Sequence, residues 1–276
     1  RKLVALKAVE VASDKDVCVF RKEASIAASL VHESIVQLFG SGRFEDDVFI
    51  VMEYVHGVDL LDFQRRHKQR RLHLPIEISV FIVSRVLRAL YYAHTRRDEH
   101  GRPMNIVHSD VSPGNIMIDT SGFVKLTDFG VARWSGDSEN HESDLPGGKY
   151  NYMSPEQAVG GTLDARSDIY SAGLVLYELL VGAPVYNASS RQQMLDKARN
   201  YRIKPPSQLD DRIPEQLDDI VMPALEFSAR DRYDSSMEFC VRLEKYLYSG
   251  GYGPTTEKLG RYFRALFDDI DPHSVR

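Results

Sequence analysis

Scarcity bounds this chain before any motif does. It holds only two cysteines in 276 residues, Cys18 and Cys240. They fall in predicted helices far apart and neither has metal-ligand spacing, which excludes a disulfide framework and suits a reducing cytosol. No apolar run approaches the roughly 20 residues of a membrane-spanning helix, and the first residues lack a signal-peptide pattern, so the segment reads as soluble and cytoplasmic. A formal charge of -5, from 35 basic and 40 acidic residues, carries no general signature of nucleic-acid binding. No internal repeat occurs. What remains is a mixed, charge-balanced composition, long enough for one large domain or two lobes sharing a cleft.

Leu3-Val4-Ala5-Leu6-Lys7 already reads as the middle of a sheet, although the chain begins at Arg1 rather than methionine. Residues 3 to 10 pattern as a strand. Asp16 can cap a helix that aligns Phe20, Glu23, Ala27 and Leu30 on one face, with Glu23 interrupting the apolar stripe. Phe39 to Arg43 and Val48 to Met52 read as a strand pair around Asp46-Asp47, and Glu53-Tyr54-Val55-His56-Gly57 breaks the alternation, which places a hinge at 53–58. Pro75 opens a long helix through His94. Ile169 to Val181 is apolar on nearly every side, as a helix buried at the centre of a domain must be, and Gly182 and Pro184 end it. After the Gly-rich break at 249–254, Leu259, Tyr262, Phe263, Leu266, Phe267 and Ile270 line one face of a last helix. That face needs a partner, either the larger lobe or a dimer or regulatory contact.

The chemistry is concentrated in Ile106-Val107-His108-Ser109-Asp110-Val111-Ser112-Pro113-Gly114-Asn115 and Asp128-Phe129-Gly130. An aspartate and an asparagine on one loop, with a second aspartate further along before a glycine, supply what phosphoryl transfer needs. One carboxylate orients a hydroxyl, while an amide and a second carboxylate hold a hard cation. Taken singly the motifs are ordinary turns, Lys7 a surface cation and Glu23 a solvated carboxylate. Their order and separations together are what resembles the catalytic loop and Asp-Phe-Gly motif of eukaryotic-type (Hanks-type) protein kinases, bacterial Ser/Thr members in particular.

That resemblance, spanning residues 3 to about 247, implies an α+β bilobal fold. A small β-rich N-lobe (1–52), a hinge (53–58), a mainly helical C-lobe (59–248) and an appended linker and helix (249–276) are expected. It further implies transfer of the γ-phosphoryl of ATP to a protein hydroxyl, with Mg2+ as cofactor and Mn2+ as an alternative. Asp110 would accept the substrate proton, Asn115 and Asp128 would hold the metal, and Lys7 paired with Glu23 would reach the inner phosphates. Ala5 and Met117 would clasp the adenine with Met52 behind. Glu53 and Val55 would offer it backbone hydrogen bonds, and Asp59 would face the ribose or, on pattern alone, cap a helix. Tyr152-Met153-Ser154-Pro155-Glu156 resembles the end of an activation segment, with Arg232 the expected partner of Glu156 and Asp168 a structural residue.

The departures are as informative. The resemblance calls for two strands and a Gly-rich phosphate loop before Lys7, and the sequence has none, so the N-lobe is expected to be truncated. Ser109 replaces the arginine that grips a phosphorylated activation loop in many kinases. Ser112 replaces the lysine that follows the catalytic aspartate, while Lys149 replaces a threonine of the activation segment, as though charge and hydroxyl were exchanged. A pseudokinase scaffold is the alternative reading. The basic run Arg65-Arg66-His67-Lys68-Gln69-Arg70-Arg71 reads as a solvated helix end or as a dock for an acidic substrate, and residues 96 to 105 as a polar surface excursion.

Overall fold

Alternating apolar residues build a small antiparallel sheet from the first fifty positions. The computed structural model describes residues 3–9, 24–44, 47–129, 149–200 and 202–268. Strands β1 (Val4–Val9), β2 (Leu38–Phe44) and β3 (Asp47–Glu53) lie in the order β1-β3-β2, with Ala5 opposite Met52 and Lys7 opposite Ile50. Val48 and Ile50, two residues apart on β3, turn the same face inward and are buried. Residues 24–28 form the helical turn α1. Ala27 and Leu30 are buried beneath it, as their spacing predicts; the expected Asp16 cap, Phe20 and Glu23 lie outside the described residues.

The chain leaves β3 through Tyr54, Val55 and His56 and enters β4 (Gly57–Asp59), which pairs with β5 (Ile116–Asp119) and through it with β6 (Val124–Leu126). Asp59 caps α2 (Leu60–Arg70) by accepting from the Asp62 N–H at 2.7 Å. Helices α3 (Ile76–His94), α4 (Pro155–Ala158), α5 (Ala165–Val181), α6 (Arg191–Asn200), α7 (Glu215–Val221), α8 (Ser236–Tyr248) and α9 (Thr256–Leu266) complete the larger lobe. Pro75 is the N-cap of α3, as its fixed φ allows. α5 starts earlier than its apolar run, because Asp164 accepts the Arg166 N–H as N-cap. It ends where Gly182 takes a left-handed φ of 81° and returns its N–H to Glu178 O.

The open choice for the last helix resolves towards docking on the larger lobe. Leu259, Phe263, Leu266 and Phe267 are buried, and Phe63 of α2 stacks on Phe263 and Phe267 with centroids 6.2 and 6.3 Å away. Burying one such phenylalanine stabilises by about 1.5–3 kcal/mol. Ile270 lies outside the described residues. Among those described, no helix is long and apolar enough to cross a membrane.

Candidate active site

The loop between α3 and β5 carries the candidate reacting groups, and its shape is enforced from below. Asp168, fully buried at the start of α5, accepts N–H bonds from His108 and Ser109, both at 2.8 Å, and lies 2.8 Å from His94 Nε2. Held this way, Ser109 adopts φ 60°, a left-handed conformation that costs a non-glycine residue about 1–2 kcal/mol. Its carbonyl is fastened from the other side by Gln157 Nε2 at 2.7 Å. His108 is completely buried and bridges the two halves of the site. Its Nδ1 accepts the Asp110 N–H at 3.2 Å, so the ring proton sits on Nε2 and is donated to Thr127 O at 2.8 Å. The next residue, Asp128, has φ 64°.

These contacts gather four of the expected site residues. Asn115 Nδ2 donates to Asp110 O at 2.8 Å and to Asp110 Oδ2 at 2.9 Å. With both amide protons spent, the Asn115 Oδ1 remains as a hard oxygen donor. Asn115 O also accepts the Thr127 N–H at 2.9 Å, which sets Asp128 beside it. From the small sheet, Lys7 Nζ reaches Asp128 Oδ1 at 2.6 Å and closes the cleft with a charge-assisted bond. Glu23, the expected partner of Lys7, lies outside the described residues. No group of three or more His, Cys, Asp or Glu side chains that could hold a metal occurs among the described residues. An amide oxygen plus one carboxylate is a donor set suited to Mg2+, which keeps waters and takes phosphate oxygens.

The remaining expected residues lie on the short strands and turns that follow. Ala5 and Met52 are opposite each other on β1 and β3, and Met117 pairs with Asp59 across β5 and β4. The Glu53 N–H is donated to Gln37 O at 2.8 Å, and its carboxylate accepts from Lys125 Nζ at 3.0 Å. Val55 O accepts the Gly57 N–H at 3.0 Å. The carboxyl of Asp59 is raised by burial, against the hydrogen bond from Asp62 that lowers it; its visible work is the helix cap. Ser112 is buried in extended backbone before Pro113. Lys149 opens a 3-10 turn, Lys149–Tyr152, and its side chain lies outside the described residues.

Below this turn, the protein-facing wall is pinned as the resemblance implies. Arg232 binds Glu156 through both nitrogens, at 2.8 and 2.9 Å, and stacks over the Tyr170 ring at 4.5 Å. Burial pushes the Glu156 carboxyl up, but Arg232 and the Ser167 hydroxyl outweigh it and hold it below its ordinary value. Tyr152 donates to Glu178, and burial followed by that carboxylate raises the phenol. Sequence reasoning gave His108 no role of its own within its motif and missed Gln157 and Glu178. Gln157 was legible as the fourth member of a Ser-Pro-Glu-Gln capping box, which the structure contains. Glu178 was marked as the one charge in the otherwise apolar run from Ile169 to Val181.

The family described as "Protein kinase domain" matches residues 1–242, and the chain belongs to it. It is 34% identical over 250 residues to the tyrosine-protein kinase MasK of Myxococcus xanthus, covering 91% of this chain and 39% of that protein. To the serine/threonine-protein kinase PknB of Mycobacterium tuberculosis it is 36% identical over 246 residues, covering 87% and 37%. The crystal structure of the PknI kinase domain of M. tuberculosis matches with a TM-score of 0.65 at 28% identity, over 88% of this chain and 85% of that one. The Hanks-type resemblance and the bilobal α+β fold are thereby established. The chain spans well under half the length of these curated relatives.

Proposed function

We propose that this chain transfers the γ-phosphoryl group of ATP to a serine or threonine hydroxyl of a protein in the cytosol. Residues 1–52 serve as a partial N-lobe, 53–58 as hinge, 59–248 as C-lobe and 249–276 as an appended linker and helix. The observation that carries this reading is the single connected cluster of Lys7, Asp128, Asn115 and Asp110. In it Asp110 takes the proton of the incoming hydroxyl as that oxygen bonds to the γ-phosphorus and the bond to the bridging oxygen of ADP breaks. Lys7, with Glu23 as its expected partner, steers the inner phosphates. Ala5, Met52 and Met117 bound the adenine, the backbone of Glu53 and Val55 offers it hydrogen bonds, and the carboxylate of Asp59 faces the ribose. Asn115 and Asp128 would hold Mg2+, or Mn2+ in its place, and the ion supplies neutralisation of phosphate charge.

Two observations favour Ser/Thr over Tyr as acceptor: the catalytic loop lacks the Ala- and Arg-rich sequence of tyrosine kinases, and PknB is named a serine/threonine kinase. The name of MasK favours the other acceptor, so the assay must offer both. With radiolabelled ATP and mixed Ser/Thr and Tyr substrates, the full-length protein is expected to label Ser or Thr. Asp110→Asn is expected to lower incorporation by about 10² or more while ATP still binds. Equal labelling by both proteins would remove Asp110 from its role, and phosphotyrosine as the main product would reverse the acceptor.

A further inference from the structure

We infer that α9, which lies beyond the 242 residues matched by the family, is a brace that sets the shape of the adenine floor and so the affinity for nucleotide. The inference rests on the ATP-binding reading above. That floor is thin. β4 is three residues long and β5 four, and strands so short are marginally stable unless something outside them fixes their register. Met117 sits on β5 opposite Asp59, and the hinge runs directly into β4.

α9 grips this floor from both sides. On the α2 side, beyond the Phe63 stacking, Arg66 Nε donates to Leu266 O and Arg70 Nη1 to Ala265 O, each at 3.2 Å. His67, buried, has Nε2 2.7 Å from Tyr262 Oη. Two cations thus satisfy carbonyls at the C-terminal end of α9, where the helix has no donors of its own. On the β5–β6 side, Gly122 has φ 94°, and a Cβ on it would lie 2.0 Å from Thr256 O. A Cβ on Gly260 would lie 2.3 Å from Ser121 O. The two backbones therefore touch at a pair of glycines. The hinge itself is reached through one further link: Arg264 Nη1 donates to Thr120 O at 2.6 Å, and the Thr120 N–H is donated to His56 O at 2.9 Å.

A brace acting this way changes the population of binding-competent floor rather than the transfer step, and apparent affinity falls by that population. Its loss raises KM for ATP and leaves kcat at saturating ATP in place. Arg264→Ala cuts the link to Thr120 alone; Phe263→Asp undocks the helix. In the full-length protein without nucleotide, amide exchange of residues 53–59 and 116–120 is expected to quicken, about tenfold or more for Phe263→Asp and less for Arg264→Ala. KM for ATP should rise about three- to tenfold for Phe263→Asp with kcat within about twofold. If α9 amides exchange freely while the hinge exchanges as in wild type, or if kcat falls with KM unchanged, the brace is wrong. Should Phe263→Asp fail to fold, Arg264→Ala decides by the same two readouts. The exchange arm needs no turnover, so a protein that never consumes ATP would defeat the proposed function and leave the brace to be judged on exchange.

Discussion

Ser112 is a position at which the kinase resemblance calls for a cation and this chain has none. It is 8% exposed and lies two residues after Asp110, the proposed catalytic aspartate, at a position where a cation is expected to face the transferring phosphoryl group. Lys149, at the start of the turn that leads to Tyr152, is proposed to supply that charge from the activation segment. A preorganised cation in a partly dry cleft is worth about 10²–10³ in rate. Lys149→Thr is therefore expected to lower kcat by that order, and adding Ser112→Lys should recover part of it, giving a favourable coupling energy in a double-mutant cycle. Additive losses, or a change confined to KM for the protein substrate, would leave Lys149 a docking residue only.

Among the elements, the junction of α4 with α5 governs how the activation segment ends. It is held by Glu156 and Arg232, whose side chains are 19% and 0% exposed. A buried ion pair adds little net stability but is costly to half-break, because the survivor stays buried without its partner. Arg232→Ala or Glu156→Ala should each lower unfolding free energy by about 3–5 kcal/mol in urea denaturation. The pair also predicts a pH dependence. Arg232 and Ser167 hold folded Glu156 below its ordinary 4.5 against burial, so between the two values the unfolded chain binds more protons and stability rises with pH. This contribution is complete above pH 4.5 and is lost as pH falls through the depressed value. Thermal melts of Glu156→Gln against wild type across that window should show a shallower rise of stability with pH in the variant, other depressed carboxyls such as Glu244 supplying the remainder in both.

For the molecule as a whole, the question is what turns it on. The serine at position 109 cannot provide the cation that would hold a phosphorylated loop; among the described residues its hydroxyl donates to Val107 O, at 3.5 Å. Asp137, Glu139, Glu142 and Asp144 already crowd the segment before Tyr152 with negative charge. The residues themselves, with Ser135, Ser138 and Ser143, lie outside the described residues. Phosphatase-treated full-length protein is expected to keep its rate; a large loss reversed by autophosphorylation in this segment would show that another cation fills the place of the missing arginine.

Much of the fold was legible because the relevant forces act over short stretches of chain. Alternation placed β2 and β3, a run apolar on all sides placed α5, and Gly182 ended it. The candidate residues Asp110, Asn115 and Asp128 stood out through the order and separation of their two motifs, and the structure brings the Asn115 amide onto Asp110. Contacts between distant segments were not. Lys7 meets Asp128 from 121 residues away, and the basic run of α2, read as a solvated helix end or a substrate dock, does end a helix and is largely exposed, yet it also spends Arg66 and Arg70 on carbonyls 200 and 195 residues later and buries His67. An arginine-rich helix end has the same local pattern whether water, an acidic partner or a helix terminus receives it. Which one does depends on where the folded chain returns, and no local periodicity encodes that.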